Sequence, residues 1–198
     1  MPIAHTARFP EILTNSIHPF PTPTMETIWN FAAKARANRP FVYHSSKPET
    51  DKETHMPNRR NHDPRECALI AARTADELKA TDIMVQEMSG LMTATDYFVI
   101  ATAQNNRQVA AIIDKIEEKV RKEGNAKPFH KEGVDEGTWA LLDYGDFIVH
   151  VFQPEARDYY RLESLWNDAP VIDLKEAGIT DAVYSDRISK LMGKEDQE

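Results

Sequence analysis

The stretch Gly137–Trp166, "GTWALLDYGDFIVHVFQPEARDYYRLESLW", decides the fold. "TWALL" and "FIVHVF" are β-branched and aromatic runs of strand length, and "DYGD" between them places Gly145 where a tight hairpin turn needs a positive φ. Pro154 then suits the first turn of a helix, with Tyr159, Leu162, Leu165 and Trp166 on one side. The block reads as a hairpin followed by a helix.

Upstream, "KPFHKEG" (Lys127–Gly133) is a short strand at a sheet edge, because Pro128 cannot donate a ladder hydrogen bond. "NNRQVAAIIDKIEEKVRKEGN" predicts a helix capped by Asn105 or Asn106, with Val109, Ile112, Ile113, Ile116 and Val120 on its apolar face and Gly124 at its end. Its charges form a solvated face, with Glu118 and Lys122 spaced for a weak pair. "DIMVQEM" and "TDYFVIATA" are two further strands, and Tyr97–Ala101 is apolar on both faces, as a central strand is. At "HDPRE", Asp63 as N-cap, Pro64 at the first helical position and Glu66 three residues after the cap start a helix that runs to about Lys79. Cys67, Ile70, Ala71, Thr74 and Leu78 form its inner face, which makes Cys67 a packing residue. The order is helix, strand, strand, helix, three strands, helix. That order predicts an α/β fold with a mixed sheet of about five strands flanked by helices.

Composition sets limits on function. Cys67 is the single cysteine among 198 residues, so no disulfide or Cys-based zinc site forms within the chain, and a reducing, cytoplasmic compartment is the simpler expectation. No apolar run approaches the roughly 20 residues that span a bilayer, and the first residues lack the pattern of a signal peptide. No membrane partner is expected. Residues 63–166 carry 12 Lys and Arg against 19 Asp and Glu, whereas residues 1–62 carry 8 against 5. An acidic body is repelled by phosphate backbones, so a basic protein is the expected partner and sequence-specific nucleic-acid binding is not. Residues 1–62, rich in Pro, Ser, Thr and charge, are expected to be a disordered leader. Within it, "METIWNFAAKARANRP" is a transient helix or upstream sequence, with a docking helix as the other reading. Residues 168–198 are expected to be an acidic tail with a short helix.

"TDYFVIATAQNNRQV", "KEG" before "GTW", and "WALLDYGDFIVHVFQPEARDYYRLESLW" together resemble the ribosomal silencing factor family, also called Iojap-like proteins, over residues 63–167. The resemblance rests on the order, spacing and segment lengths of these runs. It implies a nucleotidyltransferase-like fold without catalysis, and binding to the large ribosomal subunit through its L-fourteen protein. That binding would obstruct joining of the small subunit and lower translation when nutrients are scarce. Two other functions remain open: a metal-dependent nucleotidyltransferase-like enzyme and an assembly factor for the large subunit. Pairing of two copies is also open.

The residues favour binding over catalysis. Nucleotidyl transfer needs a Gly-Ser loop and closely spaced carboxylates for magnesium. Here Ser89 and Gly90 run in the other order, Asp96 has no Asp two positions away, and Asp143 and Asp146 straddle a turn. No catalytic residue, cofactor or metal ligand is assigned. His150, among apolar neighbours, is expected to be a hydrogen-bonded structural histidine. Trp139, next to the loop "GVDEG" and near Asp143 and Asp146, is the expected aromatic anchor of a docking surface facing a basic protein. Leu141, Tyr144, His150, Glu132 and Arg107 complete the candidate partner-binding set.

Overall fold

The computed structural model describes residues 62–92 and 94–193. Residues 1–61, which hold nearly all of the expected leader and its Met25–Pro40 segment, lie outside the described residues.

Helix α1 spans Pro64–Glu77, with Pro64 in its first turn and the Asp63 carboxylate accepting from the Arg65 backbone N–H. Strand β1 is Thr81–Glu87 and β2 is Tyr97–Thr102. Helix α2, Asn106–Glu123, is capped by Asn105, whose side chain accepts from the Gln108 N–H at 3.0 Å. Strands β3 (His130–Glu132), β4 (Trp139–Asp143) and β5 (Phe147–Phe152) follow. After them come helices α3 (Pro154–Tyr160) and α4 (Leu162–Leu165), a 3-10 turn at Leu174–Ala177, and α5 (Asp186–Met192). The element order read from the sequence holds up to α3.

The five strands form one mixed sheet in the order β1-β2-β5-β4-β3. β2 and β5 are parallel, with Val99 beside Val149 and Ile100 beside His150, and the other neighbouring pairs are antiparallel. Because side chains alternate along each strand, this register sorts the sheet into two faces. One face carries Val85, Val99, Ala101, Ala140, Leu142, Phe147, Val149 and Val151, and belongs to the same core as α1 and α2. All five apolar positions named for α2 are buried, each worth about 1.5–3 kcal/mol relative to exposure for a side chain of this size. The α1 face is rich in alanine (Ala68, Ala71, Ala72, Ala75), which lets the helix lie close to the sheet. The second face carries Met84, Phe98, Ile100, Ile148, His150, Phe152, Trp139 and Leu141.

Two features depart from the sequence reading. The helix expected from Pro154 through Trp166 breaks at Arg161, which adopts φ 47°. Tyr159 and Leu165 are therefore exposed (55% and 46%), while Leu162 is buried. The break has a physical reason: residues six apart on a continuous helix point about 240° apart, yet Arg157 and Glu163 meet in the interior at 3.5 Å. The chain after Trp166 also packs against the domain. Gln86 bridges Val171, the Ile172 N–H donates to the Val85 carbonyl, and the Glu87 N–H donates to the Pro170 carbonyl, so this segment covers the outer edge of β1. Ile172, Leu174, Ala177 and Ile179 join the helix-side core. Among the described residues no helix is long and apolar enough to cross a membrane.

Gly124 ends α2 with φ −94°, so what it supplies is room. A Cβ there would lie 2.5 Å from the Cys67 Sγ and 3.0 Å from the Val120 carbonyl oxygen. Burial raises the Cys67 thiol pKa to about 11 and keeps it protonated. Gly124→Ala is expected to cost about 1–3 kcal/mol of unfolding free energy through overpacking. Urea titration should show that cost shrinking in a Cys67→Ala background, where the crowding sulfur is gone; an undiminished cost would place the crowding elsewhere.

Candidate functional site

The second sheet face gathers most of the candidate residues. Trp139, Leu141 and Asp143 alternate along one side of β4, and Leu141 pairs with His150 of β5 and with Glu132 of β3. These cross-strand partners share the same side, so Trp139, Leu141, His150 and Glu132 form one contiguous group. Trp139 stacks on Phe152 at 4.7 Å between ring centroids and meets Tyr160 of α3 at 4.8 Å. His150 lies edge-on to Phe98 at 5.1 Å and tilted against Trp139 at 5.9 Å.

The polar atoms of this face set it apart. Neither ring nitrogen of His150 nor the indole N–H of Trp139 has a hydrogen-bond partner among the described residues, although the residues are only 2% and 6% exposed. The expectation of a hydrogen-bonded His150 is therefore corrected: the ring is held by aromatic packing alone. Burial, reinforced by the charge of Arg157, pushes its pKa down to about 3, so the ring is neutral at pH 7, with one donor and one acceptor unused. Leaving buried polar groups unpaired costs about 1–3 kcal/mol each.

The hairpin acids occupy a different place from the one expected. Trp139 opens β4 and Asp143 closes it, about 13 Å apart at roughly 3.3 Å per residue, so Asp143 and Asp146 do not ring the indole. Asp143 is buried and accepts from the Gly145 N–H at 2.6 Å, holding the turn in which Gly145 takes φ 83°. The backbone carbonyl of Asp146 accepts from the Asp96 and Tyr97 N–H groups, and its carboxylate lies 3.6 Å from the His62 Nε2. Tyr144 turns to the helix side, where it stacks on Phe147 at 4.3 Å and burial raises its phenol pKa. Arg107 is exposed in the first turn of α2, beside Asn106, which bonds the loop ahead of Trp139. The acids near the Trp139 end are those around that loop: Glu132, Asp135 and Glu136, all exposed. Among the described residues no group of three His, Cys, Asp or Glu could hold a metal ion.

A buried charge network escaped the sequence reading. Arg157 is 2% exposed; its Nη1 donates to the Asp82 carbonyl at 2.7 Å and to the Thr102 hydroxyl at 2.9 Å, and its Nε faces Glu163. Arg187 of α5 bonds the same Glu163 and pairs with Asp158 at 2.9 Å. Arg157, Arg187, Asp82 and Asp158 line a cleft of about 290 Å³ where charges of both signs already pair. The signal was present in "PEARDYYRL": Arg157 stands three residues before Tyr160, on the inward side of α3. Desolvation lowers the Arg157 pKa and Glu163 opposes the shift. Glu163→Leu should therefore strand a buried cation and cost about 3–5 kcal/mol, read by denaturant titration. A loss under 1 kcal/mol would show that the Arg157–Glu163 pair is dispensable to the packing.

His150 gives a prediction with a defined sign. Its folded pKa lies below the unfolded value near 6.5, so its neutral burial contributes full stability above pH 6.5, and that contribution falls as pH drops toward 3. His150→Phe should flatten the pH dependence of unfolding between pH 6 and 4 by up to about 1.4 kcal/mol per pH unit. An unchanged slope would mean that His150 protonates without cost.

The family described as ribosomal silencing factor during starvation matches residues 61–197. The ribosomal silencing factor of Bacillus subtilis is 42% identical over 105 residues, covering 53% of this chain and 88% of that protein. A mouse protein named for mitochondrial assembly of the ribosomal large subunit is 34% identical, over 44% of this chain and 39% of its own length. A crystal structure of a Chromobacterium violaceum protein, 34% identical, aligns with a TM-score of 0.51 over 52% of this chain and 86% of its own.

Proposed function

This chain belongs to the ribosomal silencing factor family, and on that premise we propose that it docks on the large ribosomal subunit through its L-fourteen protein and blocks joining of the small subunit. Translation would fall accordingly when nutrients are scarce. The reading is one of binding without catalysis, in the compartment where large subunits reside, which for this chain we take to be the cytoplasm. The observation that carries it is the second sheet face: a partly exposed Leu141 beside Trp139 and His150, whose buried nitrogens have no partner among the described residues. An interface core is built this way, with apolar area around a few polar atoms that the partner completes. Assembly of the large subunit is a second reading, favoured by the name of the mouse relative. It would use the same face at an earlier stage.

Sedimentation with purified subunits tests the proposal. The protein should comigrate with large subunits and be absent from joined ribosomes; a free peak at every subunit concentration would sink the reading. Variants locate the surface. Trp139 is packed between Phe152 and Tyr160, so Trp139→Ala is expected to lose stability together with about 2 kcal/mol or more of binding. Leu141 is partly exposed, and Leu141→Asp should weaken binding by a similar amount with little change in melting. Wild-type affinity in a folded Leu141→Asp protein would move the docking surface elsewhere.

A further inference from the structure

We infer that the cleft at the carboxyl ends of β2 and β5 is a binding site for a small neutral molecule carrying vicinal hydroxyls, a sugar or a nucleoside. None of the candidate docking residues lines this cleft. β2 and β5 run parallel, and Thr102 at the end of one lies beside Phe152 at the end of the other. From there the chain leaves in opposite directions. After β2, helix α2 joins the helix-side core; after β5, helix α3 places Tyr160 on Trp139 of the second face. Where neighbouring parallel strands feed helices on opposite faces, a crevice opens past the strand ends, and ligands of open α/β sheets sit there. Thr102, Gln104 and Pro154, which end or follow these strands, line the cleft. Its volume of about 290 Å³ is at the small end of ligand sites.

One wall is built around a bulge. β1 loses register with β2 between Thr81 and Met84, and Asp82 there takes φ 50°, in the left-handed region that residues with a side chain rarely adopt. A bulge takes a residue out of the alternation of its strand and re-aims its side chain, and strained backbone of this kind collects at ligand sites. Asp82 is fixed on both sides of its backbone: its N–H donates to the Val183 carbonyl at 2.8 Å, and its carbonyl accepts from the Arg157 Nη1 at 2.7 Å. Its carboxylate accepts one bond, from the Ser185 N–H at 2.5 Å, which leaves the other oxygen without a hydrogen-bond partner among the described residues. Ser185 precedes α5 without a side-chain capping bond, so its hydroxyl is not used there either.

The charges of the cleft restrict the chemistry of its ligand. Arg157 and Arg187 are balanced by Asp82 and Asp158 in the lining, and both guanidinium groups are tied to the buried Glu163. A phosphate would meet more negative charge than positive here. What remains for a ligand is one carboxylate oxygen together with the hydroxyls of Thr81, Tyr184 and Ser185. Hydroxyls both donate and accept, whereas an ammonium ion only donates. A vicinal diol matches this set: its O–H groups donate to the carboxylate, and its oxygens accept from the hydroxyls.

The test is a set of amide spectra of the full chain at neutral pH with adenosine, 2′-deoxyadenosine and ribose at millimolar concentrations. Adenosine should shift the signals of Asp82, Thr102, Gln104, Tyr184, Ser185 and Arg187. Ribose shifting the same signals would place recognition on the sugar alone, and a response confined to adenosine would add the base; both outcomes support the site. 2′-Deoxyadenosine, which lacks the diol, should bind about 10-fold more weakly. Asp82→Asn keeps an oxygen for the Ser185 N–H and suits the left-handed backbone. It should melt as the wild type does and lose about 10-fold in affinity for adenosine. Ser185→Ala, at an exposed position without a capping bond, should bind about 3-fold more weakly with unchanged melting, and it carries the test if the Asp82 variant does not fold. No shift with ribose or adenosine, equal affinity for 2′-deoxyadenosine, or full affinity in every folded variant would overturn the inference. So would adenosine monophosphate or ethanolamine binding more tightly than adenosine, since the cleft would then take an ion.

Discussion

The parallel pairing of β2 and β5 is the constraint on which the rest of the structure depends. Both strands are apolar on both sides, so the sheet they centre must be covered twice. Helices α1 and α2 cover one face completely, using small residues on α1 and branched ones on α2. Over the other face lie helices of only seven and four residues, α3 and α4. The His150 ring nitrogens and the Trp139 indole N–H on that face have no hydrogen-bond partner among the described residues, so the two faces differ in how fully their polar atoms are satisfied.

The short helices are held by charge where they lack length. Arg157 reaches from α3 to the backbone of β1 and the side chain of β2, and Glu163 ties it to α4 and, through Arg187, to α5. Buried ion pairs contribute little net stability compared with apolar packing, because both charges must be desolvated. They are geometrically demanding, however. Only a chain reversed at Arg161 brings Arg157 and Glu163 together, so the pair selects the broken arrangement that carries Tyr160 onto Trp139.

How much was legible in the sequence follows from this physics. Periodicity identified α1, α2 and the five strands because each has one dominant environment, and its burial pattern repeats at the period of the element. Gly124, Gly145, Asn105 and Asp63 were legible as punctuation for the same local reasons. What local patterns could not show were relations between distant residues. The break at Arg161 serves the Arg157–Glu163 pair, whose other partners lie on β1, β2 and α5, and the coverage of β1 by residues 170–172 depends on an edge that needs pairing. Trp139 and the Asp143–Asp146 turn are close in sequence, but an extended strand holds them apart. His150 and Leu141, nine residues apart, are direct neighbours across the hairpin.

The function proposed here is binding, and nucleotidyl transfer, the enzymatic alternative left open by the sequence, makes a specific geometric demand. Catalysis on phosphates requires carboxylates converging on one point to hold magnesium. Here the Asp143 carboxylate holds a turn, that of Asp146 faces His62, and among the described residues no three His, Cys, Asp or Glu are grouped to hold a metal ion. Under the proposed function, another polypeptide would be engaged by shape and apolar contact around the partly exposed Leu141, with the neutral His150 and the Trp139 indole packed behind it.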